Sequence, residues 1–225
     1  MKDKNSTLKI AVIITIVVFG LIAALVVLNN NQTTDQIEST GEQPPIEGQP
    51  TMGEADAPVS VVEFGDFKCP SCKAWGEMIY PQLLNDYVDT GKIQFSYINT
   101  LFHGEESRLA ALAAESVYSQ NSDAYWDFQK ALYDEQPDAH DMEWVTEEKI
   151  LEVAGKISGI GTDQLATDLE EKTFMEEVNE DEELVSEFNV QFTPSIMIND
   201  IMVEDPFDYE AITDLIDQEL ERTEE

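Results

Sequence analysis

Both cysteines of this 225-residue chain fall in one run, Cys69-Pro70-Ser71-Cys72, at a junction between two kinds of sequence. Before it, Val59-Ser60-Val61-Val62-Glu63-Phe64 carries apolar side chains on both parities, the pattern of a buried strand. After it, Trp75, Met78, Ile79, Leu83 and Tyr87 recur near helical spacing, and Pro70 suits the first position of a helix. A strand therefore runs into a helix through a turn that carries two thiols. Cys69 lies among N–H groups that lack intrahelical partners, beside a partial positive charge of about 0.5. Cys69 is expected to be the exposed nucleophile, and Cys72, one turn inward, the buried sulfur that resolves a mixed disulfide.

Magnitudes make that placement matter. A free thiol with a pKa of about 8.5 is only about 3% ionised at pH 7. Bringing it to about 5 takes about 5 kcal/mol, against about 1 kcal/mol from a surface helix dipole. Buried N–H···S contacts at the helix end have to supply most of the rest.

Other uses of two cysteines fit less well. A multi-disulfide scaffold, a four-cysteine zinc site and an iron–sulfur cluster all need more cysteines than this chain holds. A mixed zinc site would need His103 and His140, and neither belongs to a second C-x-x-C or an H-x-x-x-H pattern. A static disulfide closing so short a loop would remove little unfolded-state entropy. Two core thiols would not be bracketed by Pro70, Lys68 and Lys73, which mark a surface-facing turn. Lys68 and Lys73 are two of only nine basic residues beyond position 28, placed where they would offset a field that opposes a thiolate.

Further along, Pro81 is expected to kink the helix, Gly91 to stop it, and Lys92–Ile98 to alternate as a second strand. Strand, crossover helix and strand form a βαβ unit with parallel strands. From Glu105 to about Asn189 there is no convincing strand, only five amphipathic helices anchored by residues such as Leu112, Phe128, Ile150, Leu165 and Val178. Ser195–Ile198 and Ile201–Val203 flank Asn199-Asp200 as a hairpin, and Ile212, Leu215, Ile216 and Leu220 mark a closing helix.

The amino terminus points to a membrane. Ile10–Leu28 is 19 residues without a charge, about 28 Å as a helix against a hydrocarbon core of about 30 Å. Lys2, Lys4 and Lys9 precede it against only Asp3, which places residues 1–9 in the cytoplasm and the bulk outside. A cleaved signal would have a shorter apolar core and a small-residue cleavage site, which Leu28-Asn29-Asn30-Asn31 does not offer. The reading is a single-pass signal anchor over 10–28, a flexible polar stalk over 29–57, and a folded domain over 58–222.

Net charge is −35, which argues against nucleic-acid binding because no basic patch is available for phosphates. Beyond residue 28 the chain has nine basic and 46 acidic side chains, a net of −37. One reading is an acidic binding surface, for Ca²⁺ for instance; the other is a solvated face suited to high salt or high pH. Acids occur in every predicted helix and no D-x-D-x-D-G loop is present, which supports the solvated face.

The stretch Gly53–Cys72, GEADAPVSVVEFGDFKCPSC, resembles the DsbA-like branch of the thioredoxin superfamily, in particular the membrane-anchored BdbD-type thiol-disulfide oxidoreductases of Gram-positive bacteria. The resemblance covers about Pro58 to Leu220. It implies an α/β thioredoxin fold with an all-helical insertion at about 105–189, preceded by the single transmembrane helix. It implies that Cys69 and Cys72 are catalytic, that their own disulfide is the redox group, and that no separate cofactor or metal is required. Glu63, charged within an apolar strand, would ordinarily be a rim carboxylate. By the resemblance it lies beneath the cysteines, moves protons to and from the buried sulfur, and has a pKa raised by desolvation. Thr193-Pro194 would ordinarily be trans. By the resemblance it is cis, packs on the disulfide, and offers its backbone to an extended substrate by strand addition.

Pro70-Ser71 tunes the potential, and it differs both from the Pro-His of DsbA oxidants and from the Gly-Pro of thioredoxins. An extracytoplasmic site and the helical insertion favour an oxidase acting on extended, cysteine-containing secreted or envelope proteins. Its electron acceptor would be a quinone-linked membrane thiol oxidase. A reductase or isomerase for envelope-protein or cytochrome maturation is the second reading. A non-catalytic anchored binding protein with a static disulfide is the third.

Overall fold

A computed structural model describes residues 40–138 and 142–223. The expected tail over 1–9, the span over 10–28 and the first part of the stalk, 29–39, lie outside the described residues. Among the described residues no helix is long and apolar enough to cross a membrane.

The chemistry is positioned by a five-stranded sheet. Thr51–Met52 (β1), Val59–Gly65 (β2), Ile93–Asn99 (β3), Ser195–Ile198 (β4) and Ile201–Met202 (β5) lie in the order β1-β3-β2-β4-β5. Central β2 is buried along its whole length, which is why its apolar residues do not alternate. It runs parallel to β3, with Glu63 opposite Tyr97, and antiparallel to β4, with Glu63 opposite Ile196. Asn199 takes the left-handed conformation that the hairpin needs, at φ 50°. Its Oδ1 also accepts from the Ser60 N–H at 2.9 Å, tying the turn back to β2.

The β2–β3 crossover is Pro70–Met78 (α1), Tyr80–Leu83 (α2) and a π-helical turn, Leu84–Val88. The break falls at Ile79, two residues before Pro81, whose ring cannot follow a continuous helix. Five helices form the insertion: Glu105–Gln120 (α3), Ser122–Asp134 (α4), Glu147–Ala154 (α5), Thr162–Glu171 (α6) and Met175–Glu187 (α7). Tyr209–Thr223 (α8) closes the chain.

Each sheet face has its own core. Val59, Val61, Trp75, Phe95, Ile196, Ile212 and Ile216 pack α1 and α8 onto one face, and Val62, Phe64, Ile98, Phe188 and Met197 form a smaller cluster. A third cluster runs through the insertion and includes Phe67, Cys69, Cys72, Tyr97, Phe128, Leu132 and Ile150. The two cysteines thus belong to the core that the insertion builds, not to the one under their own helix.

Residues 40–57 correct the expected stalk, because they are part of the domain. The Thr40 N–H donates to the Asp200 carbonyl at 2.8 Å, and the Tyr97 N–H donates to the Pro50 carbonyl at 3.0 Å. The Gln49 amide donates to Asp181 Oδ1 at 2.7 Å, and β1 pairs antiparallel with β3. Strand pairing uses backbone groups, so a polar segment joins a sheet edge with little hydrophobic signal in its sequence.

Candidate active site

At the end of β2 the turn Asp66–Lys68 delivers Cys69 to the N-cap of α1, with φ −75°, ψ 120° and Pro70 next in line. Both cysteines are thiols. Cys72 is fully buried and Cys69 is only 7% exposed, so the expectation of an exposed nucleophile is corrected. Two distant segments cover Cys69. The Gln136 amide donates to the carbonyls of Phe67 at 2.7 Å and Cys69 at 3.2 Å, and Cys69 Sγ donates to the Thr193 carbonyl at 3.4 Å.

Hydrogen bonds to sulfur set the electrostatics. The Cys69 pKa is lowered to about 5, first by a hydrogen bond from the Cys72 thiol, then by the Thr193 side chain and the N–H groups of Cys72 and Ser71, against burial pushing the other way. Burial holds the Cys72 thiol well above its ordinary value, and its bond to Cys69 adds to this, so Cys72 keeps the proton that it donates.

Neither flanking lysine is among the groups that lower Cys69. Lys68 pairs with Glu106, whose other oxygen accepts the N–H groups of Trp144 and Val145 at 2.8 and 2.9 Å. Lys73 lines a cleft of about 480 Å³ together with Glu63, Tyr80, Trp126 and Gln129.

Glu63 is buried, and its Oε1 has no hydrogen-bond partner among the described residues. Burial first, and the Cys69 charge second, push its carboxyl well above the usual range, which favours its protonated form. Exposed Glu77 and Lys130 line the same cleft, which connects this carboxyl with solvent. The Thr193-Pro194 bond is cis, and Phe192 beside it is 50% exposed. The structure therefore brings Glu63, Cys69, Cys72 and Thr193 together, turns Lys68 toward Glu106, and places Lys73 in the cleft that Glu63 also lines.

The sequence does not single out Asp66 or Gln136, and it offers His103 only as a ligand for a mixed zinc site. Asp66 touches both cysteines through its backbone: its N–H donates to Cys72 Sγ at 3.4 Å and its carbonyl accepts the Cys69 N–H at 2.9 Å. Its fully buried carboxylate accepts the Lys68 N–H at 2.8 Å, the Ser107 hydroxyl at 2.9 Å and His103 Nδ1 at 2.7 Å. A signal for Asp66 existed, since an Asp directly after a strand often caps the turn that follows. Gln136 had none, because its partners lie 67 and 69 positions away.

A family model described as thioredoxin matches residues 46–218. Disulfide bond formation protein D of Bacillus subtilis (strain 168) is 42% identical over 191 residues, which cover 85% of this chain and 86% of that protein. Among solved structures, oxidised BdbD from Bacillus subtilis superposes with a TM-score of 0.78 at 43% identity, covering 80% of this chain and 97% of the other. DsbA of Chlamydia trachomatis superposes with a TM-score of 0.69 at 23% identity over 76% of this chain and 90% of that one, a likeness of fold alone.

Proposed function

This chain belongs to the thioredoxin family, and on that premise we propose that it introduces disulfides into secreted or envelope proteins from the outer side of a membrane. It is a thiol-disulfide oxidoreductase acting in the oxidising direction. The observation that carries the mechanism is Cys69 at the N-cap of α1, where the Cys72 thiol and the helix-end N–H groups of Ser71 and Cys72 face its sulfur and lower its pKa. A stabilised thiolate stabilises the reduced pair, and that makes the oxidised pair a strong acceptor of electrons. The same fact weighs against a reductase.

In the oxidised enzyme a substrate thiolate attacks Cys69 Sγ. The Cys69–Cys72 bond breaks, its electron pair leaves with Cys72, and a mixed disulfide forms. Glu63, whose burial favours its protonated form and whose charge is felt at both sulfurs, supplies the proton that the buried Cys72 sulfur takes up. A second substrate thiolate then attacks the substrate sulfur of the mixed disulfide, and Cys69 departs as the stabilised thiolate. The substrate has lost two electrons and the cysteine pair holds them. Thr193, whose carbonyl meets Cys69, and exposed Phe192 offer the backbone and apolar surface for an extended segment.

Ile10–Leu28 and the lysines before it support a single-pass anchor with the domain outside. A quinone-linked membrane thiol oxidase would then return the pair to its oxidised state. Glutathione-equilibrated titration tests the direction: a potential above about −200 mV is expected, and one below about −250 mV would falsify it. Membrane fractionation of the full chain and of a chain lacking residues 10–28 tests the anchor; equal release of both into the soluble fraction rejects it.

A further inference from the structure

Asp66 is the residue whose backbone touches both cysteines, and its position is fixed from the helical insertion. Its carboxylate has no exposed surface, and His103 donates to it twice, from Nδ1 at 2.7 Å and from the backbone N–H at 3.3 Å. A carboxylate only accepts, so Nδ1 carries the proton. Ser107, in the first turn of α3, donates to the same oxygen and to nothing nearer the cysteines. The Asp66 N–H, held by these bonds, points at Cys72 Sγ.

We propose that His103 is a positioning residue for the first chemical step, holding Asp66 so that its N–H meets the Cys72 sulfur as that sulfur departs. This rests on the oxidase reading given above. In that step the substrate sulfur bonds to Cys69, the Cys69–Cys72 bond breaks, and the leaving electron pair places negative charge on Cys72. Hydrogen bonds to an ionised partner are about twice as strong as neutral ones, so the Asp66 contact strengthens as the bond breaks. An interaction that grows toward the transition state raises the rate, while one equal in both states does not. The Asp66 N–H is one of the groups that favour an ionised Cys72, and Asp66 is not among the groups that lower Cys69. The two sulfurs therefore answer separately to this residue.

The experiment uses the full chain in three forms: native, His103→Ala and His103→Asn, whose amide N–H stands near the position of Nδ1. Two rates are read for each: attack of a cysteine peptide on the oxidised protein, and alkylation of Cys69 in the reduced protein at pH 7. Expected for His103→Ala is an attack about tenfold slower, with alkylation unchanged and most of the attack rate recovered in His103→Asn. Equal attack rates in all three forms overturn the proposal, as does equal slowing in both variants or a parallel fall in alkylation, which marks a merely structural role. Should His103→Ala fail to fold, Ser107→Ala, which removes another donor to the same oxygen, takes its place with the same criteria. A native protein that does not oxidise the peptide at all refutes the oxidase reading instead, so the two failures are distinct.

Discussion

Cys69 Sγ donates to the carbonyl oxygen of Thr193 at 3.4 Å, across 124 residues of sequence. The contact exists only while Cys69 is a thiol, since a thiolate has no proton to give. The anion is held instead by the Cys72 thiol, the Thr193 side chain and two helix-end N–H groups, which bring the pKa to about 5. Alkylation of Cys69 should therefore rise with pH through a midpoint near 5 and be flat by pH 7, with Cys72 unlabelled in the folded protein. Mass spectrometry after pulsed labelling reads both sulfurs. A midpoint above about 7.5 removes the basis of the mechanism.

The same thiolate couples redox state to stability. A folded value of about 5 lies below that of an unfolded thiol, so the reduced fold binds fewer protons than its unfolded chain. The resulting stability is complete above the unfolded pKa and disappears as pH falls through about 5. At pH 7 the reduced form should exceed the oxidised form by about 2 kcal/mol, after allowance for solvent screening of the thiolate. The short Cys69–Cys72 loop offers the oxidised form little unfolded-state entropy in return. Denaturant melts of both forms at pH 5 and pH 7 check this: the gap should narrow toward pH 5. An oxidised form more stable at pH 7 contradicts it.

Glu63 sets function against stability. Its buried carboxyl has an orphan Oε1 and a raised pKa, so the folded state holds its proton longer than the unfolded chain does. Stability linked to that proton is complete below the unfolded pKa of about 4.3 and is lost as pH rises toward the raised folded value. Glu63→Leu should therefore stabilise the protein by about 1–2 kcal/mol near pH 8, with less gain at acid pH. It should also slow turnover by about 10²-fold, the scale of one positioned proton donor. Guanidinium melts and a peptide-oxidation assay on the same variant test both halves. Loss of stability with full turnover would show that the carboxyl is an ordinary strand residue.

Some of this was legible before the fold was known, and the reason is locality. The β2–α1 junction, the break near Pro81 and the five insertion helices depend on periodicity and proline, which act over a few residues. Glu63 stood out because a charge in an apolar strand is a local anomaly. The edge strand Thr51–Met52 did not, because it is held by backbone pairing to β3 within polar sequence. The enclosure of Cys69 by Gln136 and Thr193, and the hold of His103 and Ser107 on Asp66, join segments from 37 to 124 positions apart. Hydrophobic periodicity carries no information about such pairings.

Lys68 illustrates how a local reading fails and yields one more test. Next to Cys69 in sequence, it looks like a counter-charge for the thiolate. In the structure its ammonium faces Glu106, so the pair is close to neutral as seen from the sulfur. Lys68→Gln should accordingly move the Cys69 alkylation midpoint by less than about half a pH unit at low salt, where any charge effect is largest. The substitution should act elsewhere. Glu106 also accepts the N–H groups of Trp144 and Val145, so losing its cation should loosen the segment between α4 and α5. Hydrogen exchange at these two amides should quicken while those of β2 stay protected. A midpoint raised by a full unit or more would return Lys68 to the role of electrostatic partner for Cys69.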